Sequence, residues 1–325
     1  MPNQTYYLMG GVVAHNLRKV TIQIDGTLKF SRRLSYWPRT GDGPRASVLP
    51  CLYFDGLADV VFTSESAGTL DGQGAAWWGI PGIGYLVRGE NRPRLFHAAG
   101  NPTNVLVENL RFIDSPYWTF YVDSVDGLEV RGCHIDARRR KSATTHNIYE
   151  MTAFNTDGYD VTGKNVWIHD SSVWCQDDGV AVKDGSENML FERMEVSGVG
   201  LTIGSIGNST VRNVTFRDVR SVNPYKGIYL KFRPGPRGRV PSSASSPLSL
   251  GRSVRVLAAV SRQICVVAVG FPRRRRGGAA TPPPRRNRST AAAAPRPSTA
   301  TRRLDPPPRR NRSTAAVSLR GFSSV

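Results

Sequence analysis

The chain has 325 residues and carries 44 Lys and Arg against 25 Asp and Glu, a net charge of +19, a length that allows one large domain or two medium ones. The charge suggests a nucleic-acid partner, but it is confined: from Pro236 to the end there are 19 Arg, no Lys and one Asp, whereas residues 1–235 hold 25 basic and 24 acidic side chains. Those 235 residues contain no apolar run of membrane-spanning length, and their start lacks the basic and apolar segments of a secretory signal.

In chain order, the first predicted strands lie in "VTIQIDGTLKF" and "ADVVFTS". They are followed by "NVLVENLRFID", "DGLEVRGCHID", "KNVWIHDSSVW", "NMLFERMEVSG" and "STVRNVTFRDV". Each alternates apolar and polar residues, is rich in Val, Ile, Phe and Trp, and is bounded by Gly, Asn, Asp or Ser, with hardly any helical periodicity between. The segments recur at a nearly fixed step: 22 residues from Asn104 to Asp126, 23 from Asn165 to Asn188, and 22 from Asn188 to Thr210. Ala58 to Asn104 is 46 residues, which reads as two steps. A repeat of this length made of short strands predicts an all-β solenoid, a right-handed parallel β-helix, with Val, Ile and Leu stacked inside and Asn in the turns at coil starts.

The rhythm stops near Pro234. Residues 1–235 are therefore predicted as the folded domain and 236–325 as an Arg/Pro/Ser/Ala-rich, disordered tail. "RRRR" at 273–276 precedes "PPPRRNRSTAA" at 282–292, and that string returns at 306–316. This is either a basic arm that grips polyanions or sequence resembling translated noncoding DNA. "LSLGRSVRVLAAVSRQICVVAVG" (248–270) is apolar enough for a strand or helix but breaks the coil rhythm. Cys51, Cys133, Cys175 and Cys265 show no CxxC spacing, which argues against a zinc site and permits disulfides without requiring them.

The chemistry is carried by "NTDG" and "CQDDGVAVK". Asp157 precedes Asp178 by 21 residues, and 21 more reach Val199. Equal steps of one coil stack residues on one face of a solenoid, so Asp157 is expected beside Asp177 and Asp178 on the neighbouring rung. Strict alternation would bury one of the pair, which is unfavourable for an unpaired carboxylate; a bend at Gly179 lets both point outward. Crowded carboxylates repel, which raises at least one pKa. One protonated and two ionised carboxyls suit glycoside hydrolysis. A calcium site, or aspartates that cap turns, fits the spacing equally well.

The run from "FNTDGYDVTGKNVWIHDSSVWCQDDGVAVK" to "SGVGLTIGSIGNSTVRNVTF" resembles glycoside hydrolase family 28, the polygalacturonase family, as do "IQIDGTLKF" and "GTLDGQGAAWW" nearer the start. The resemblance covers roughly residues 12 to 233. It implies a pectin-lyase-like right-handed β-helix, secreted, that hydrolyses galacturonic-acid-containing polysaccharide by a metal-free, inverting mechanism, with no cofactor. By residue, it makes Asp177 the general acid and Asp157 and Asp178 the carboxylates that position and deprotonate water. Lys231, with Tyr229 and Lys183, is expected to meet the substrate. The chain departs from the family where Gly179 stands for a Cys, Val199 for the His of Gly-His-Gly, and Tyr229 for the Arg of Arg-Ile-Lys. The family's later coils also give way to the tail.

Lys183 and Lys226 are cations placed to compensate for the lost Arg, although each also suits a solvated strand edge. His97, His134, His146 and His169 fall outside the carboxylate rungs and read as strand or turn residues. Trp77, Trp78, Tyr117 and Trp118 suit either sugar stacking or packing. The expected partner is an acidic polysaccharide met by a monomer, with no membrane and no specific nucleic acid. A non-catalytic glycan binder, or nonspecific polyanion binding through the tail, are the competing readings.

Overall fold

The computed structural model describes residues 2–43, 46–79, 91–143, 145, 147–207, 209–233 and the backbone of 253–256. The expectations placed on the rest of the tail and on Cys265 lie outside these residues. Strands wind into coils with three parallel faces. One face stacks Thr5–Leu8, Thr27–Phe30, Thr69–Asp71, Arg111–Ile113, His134–Asp136, Ser172–Trp174, Glu195–Val196 and Arg220–Ser221. A second runs from Thr21–Gln23 through Ala58–Thr63 and Thr103–Glu108, then through the later halves of Phe120–Arg131 and Tyr159–His169, to Glu187–Glu192 and Arg212–Arg217. The third stacks Val12–His15, Leu52–Asp55, Phe96–Ala99, the starts of Phe120–Arg131 and Tyr159–His169, Asp178–Val182, Gly200–Ile206 and Ile228–Phe232. Every pairing among these strands is parallel, and parallel crossovers wind right-handed: this is a right-handed parallel β-helix. The backbone of Ser253–Val256 lies antiparallel on Arg212–Arg217.

Alternation sends every second side chain inward, and in-register stacking puts like on like. On the third face one interior column is Leu52, Phe96, Phe120, Tyr159, Val180, Leu201 and Ile228. Phe96 and Phe120 stack face to face at 4.8 Å, and Phe120 meets Tyr159 edge-on at 5.4 Å. This column is thus aromatic from Phe96 to Tyr159 and aliphatic from Val180 onward. Burial of this column and its neighbours holds the coils together, each such side chain contributing roughly 1.5–3 kcal/mol.

The corners are built from residues that accept the left-handed backbone. Asn104, Asn165, Asn188 and Asn213 all have φ between 51° and 59°. Their amides form a ladder along the axis: Asn165 Nδ2 donates to Asp126, Asn188 Nδ2 to Asn165, and Asn213 Nδ2 to Asn188. Asn does take the turn positions at coil starts.

The coil count differs from the expected spacing in one place. Ala58 pairs directly with Thr103, so the 46-residue interval is one long coil and not two. The coil between Asp126 and Lys164 is also long, because an excursion after Ala137 adds residues before Asp157 rejoins the ladder. Cys51, Cys133 and Cys175 are buried and free.

Candidate active site

The third face positions the site. Phe96, Phe120, Tyr159 and Val180 are in register, so the residues two before each, Arg94, Trp118, Asp157 and Asp178, form one column. Strict alternation breaks there, and the column faces outward, with Arg94 over the Tyr121 ring and Lys183 over the Trp118 ring. The backbone bonds Leu95 N to Trp118 O, Thr119 N to Asp157 O, and Gly158 N to Asp178 O keep it in step. The outward row between the two interior columns reads Tyr53, His97, Tyr121, Asp160, Ala181, Thr202 and Tyr229.

Asp157, Asp177 and Asp178 come together, with one carboxylate oxygen from each within 4.8 Å of the others. The register shifts between Asp178 and Val180, which places the bend at Gly179 and keeps both aspartates on the outer side. Gly179 itself is tightly enclosed: a Cβ there would lie 2.2 Å from Val196 Cγ1. Val199 takes its expected place one rung on, its N–H donating to Asp177 O at 2.6 Å.

The three carboxyls differ in surroundings. Asp157 is buried, and its Oδ1 has no hydrogen-bond partner. Burial, with the charges of Asp160, Asp177 and Asp178, pushes its pKa well up against the pull of Lys183. Asp178 is also raised by burial, although Thr202 Oγ1 donates to its Oδ1 at 2.5 Å. Asp177 is the half-buried one. Its Oδ2 accepts from the backbone N–H and the side-chain amide of Asn155 at 3.1 and 3.3 Å, and its Oδ1 from the N–H of Asp178 at 2.8 Å.

A fourth carboxyl adjoins them. Asp160 is fully buried and pairs with Lys183 Nζ at 2.5 Å. Burial pushes it up to about 6 despite that partner. Lys183 also lies over the Trp118 ring at 4.5 Å. Its ammonium is thus turned to Asp160 within the site.

Lys231 stands near enough to Asp178 to lower its pKa, and Lys226 Nζ sits over the Tyr229 ring at 3.4 Å. Neither lysine has a carboxylate partner among the described residues. Tyr229 thus brings a cation to the position where the resemblance expects an arginine, although without a bidentate fork. Trp77 and Trp78 are core residues, each 1% exposed, with Trp77 edge-on to Trp37 and Trp78 Nε1 bonded to Ser115 O. Tyr117 and Trp118 are half-buried on the site's face. His134 bonds Ser172 and His169 bonds Asp170, both away from the aspartates; His146 lies outside the described residues.

Asn155, Asp160 and Thr202 join the residues expected from the sequence. Asp160 and Asn155 were within reach, since both lie in "NTDGYD" beside Asp157. Thr202 was not, because its role depends on its rung lying next to that of Asp178.

Three clustered carboxylates are also a candidate cation site. The donor set fits poorly: both oxygens of Asp177 and one of Asp178 already accept hydrogen bonds, whereas a calcium ion takes about 6–8 oxygens. The arrangement suits a retained proton and one water.

Comparison with known proteins finds relatives in sequence and in fold. The family model described as glycosyl hydrolases family 28 matches residues 7–242. Endopolygalacturonase I of Aspergillus aculeatus is 34% identical over 214 residues, covering 64% of this chain and 51% of that protein. Endopolygalacturonase D of Aspergillus niger is 30% identical over 191 residues, covering 56% and 37%. The chain thus spans about half the length, or less, of these relatives. Among solved structures, endo-xylogalacturonan hydrolase from Aspergillus tubingensis matches with a TM-score of 0.58 at 21% identity, covering 72% of this chain and 60% of that one. Endopolygalacturonase I from Stereum purpureum, complexed with two galacturonate, matches at 0.53 and 24%, covering 70% and 62%. Both share the fold.

Proposed function

Because the chain belongs to glycosyl hydrolases family 28, we propose that its outer carboxylates hydrolyse glycosidic bonds of a galacturonic-acid-containing pectic polysaccharide. The observation that carries this reading is the meeting of Asp157, Asp177 and Asp178 on one face beside Lys226 and Lys231, two lysines without carboxylate partners among the described residues. Carboxylates supply the acid and base; free cations supply the grip on an acidic polymer.

Burial, with mutual repulsion, retains a proton that belongs to the cluster as a whole. Asp177, the least buried member, delivers it to the glycosidic oxygen as the bond from that oxygen to the anomeric carbon breaks. A water held by Asp157 and Asp178 forms the new bond to the anomeric carbon and gives up a proton to them, which restores the cluster's charge. Two carboxylate oxygens up to about 5.4 Å apart can share one water at about 2.7 Å from each, and the 4.8 Å limit lies inside that span. Most inverting pairs stand about 6.5–9.5 Å apart to admit the water. Here the third carboxylate lets the water sit between two of them while the remaining one acts as acid. Lys231, and Lys226 on Tyr229, bind the uronate carboxylates next to the cut. The substrate places the protein outside the cell; among the described residues no helix is long and apolar enough to cross a membrane.

The test is reducing-sugar release from polygalacturonate. Asp177→Asn, Asp157→Asn and Asp178→Asn are each expected to lower kcat by at least about a hundredfold. The first product should carry inverted configuration by NMR, and metal chelation should leave the rate unchanged. Failure to cleave any pectic polymer would overturn the reading.

A further inference from the structure

We propose that Arg94 binds a uronate carboxylate of the polymer two coils to the N-terminal side of the aspartates. This rests on the pectic reading above and adds where the substrate is gripped. Arg94 shares the outer column of Asp157 and Asp178, with Trp118 between them. At about 4.8 Å per rung, it stands roughly 10 Å from Asp157 along the axis.

Its surroundings distinguish it from other enclosed cations. Arg92 donates to Pro116 O and Phe154 O, Arg138 pairs with Asp136, and Lys183 pairs with Asp160. Among the described residues the Arg94 guanidinium meets only rings: Trp118 at 4.6 Å, Tyr121 at 5.0 Å and Tyr117 at 5.9 Å. Its Nε is buried with no hydrogen-bond partner. Aromatic faces fix the plane of a guanidinium without neutralising it. A buried, unpaired donor is unfavourable until an acceptor arrives, and a carboxylate matches the guanidinium fork bidentately.

The neighbours leave the position to an anion. His97, packed between Tyr53 and Tyr121, has its pKa lowered to about 4 by burial and by Arg94, so it is neutral, and its Nδ1 also lacks a partner. Asp123, the carboxylate that acts on His97 and, with Asp160, on Tyr121, accepts hydrogen bonds at its Oδ1 from the hydroxyls of Ser124 and Thr162. Trp118 is held between Arg94 and Lys183, so it acts as a spacer and not as a sugar platform. The patch therefore reads charge on the substrate, on the side opposite Lys226 and Lys231.

The experiment compares Arg94→Gln and Arg94→Lys with the parent chain. Calorimetric binding of oligogalacturonate is measured in the Asp177→Asn background, where nothing is consumed. Arg94→Gln should weaken binding about tenfold, Arg94→Lys should recover part of it, and the loss should shrink as salt is added. With catalytically intact protein, KM for polygalacturonate should rise about tenfold more than KM for methyl-esterified pectin. Equal losses on the two polymers, or unchanged binding in Arg94→Gln, would overturn the inference. If the parent chain cleaves no pectic polymer, the functional reading falls, while the binding comparison still decides the role of Arg94. Thermal melting checks that each variant is folded.

Discussion

Asp160 and Lys183 show how much of the site is support. A fully buried carboxylate beside three others is tolerable because one ammonium reaches it at 2.5 Å. The same charge draws down the pKa values of Asp157 and Asp178. Lys183→Met should therefore destabilise the domain by about 3 kcal/mol, the effect of leaving a buried ion unpaired. It should also move the acidic limb of the pH–rate profile upward. Adding Asp160→Asn should restore most of the stability, as read from denaturant melts; additive losses would show that the pair is not coupled. The sequence offers Lys183 to the substrate, but its pairing with Asp160 is not visible there. Asp157, Asp177 and Asp178 were legible because the coil joining them has a regular length, so counting residues was equivalent to measuring space.

At the scale of strands, legibility followed exposure. Strands of the second face alternate over most of their length, as in Ala58–Thr63 and Thr103–Glu108, and are read directly. The third face was missed as a face. Asp178–Val182 is buried at every position and Gly200–Ile206 at nearly every one, so neither shows a period of two. The long coils hid for a different reason: an excursion adds residues without adding a rung, so Ala58 and Thr103 looked two steps apart. Gly179 is where strand packing and site geometry meet, since Val196 fills the space a side chain would need. Gly179→Ala is expected to destabilise by about 1–3 kcal/mol through overpacking, and Gly179→Ala with Val196→Ala to recover most of it. A neutral single variant would show that the two rungs yield easily.

The whole domain sets two groups of carboxyls against each other. Asp25, Asp126, Asp170 and Glu192 are held low by hydrogen bonds, several of them from Arg or Lys, so their contribution is present above the usual carboxylate range and lost as pH falls. Asp157, Asp160 and Asp178 are raised, so theirs is complete below about pH 4 and lost as pH climbs toward 6 and beyond. Melting temperature should peak between about pH 4 and 5. Asp160→Asn should flatten the descent above the peak; a parent melting temperature that climbs steadily from pH 5 to 7 would contradict this. The stacked coils also have a mechanical consequence. Rungs bond only to their neighbours, and those bonds lie along the axis, so tension between the two ends loads them in series and peels one turn at a time. Thr103 to Asp126 and Lys164 to Glu187 would each release 23 residues, but Ala58 to Thr103 would release 45 at once. The excursions are thus slack in the spring, and each lengthens the chain set free when its turn gives way.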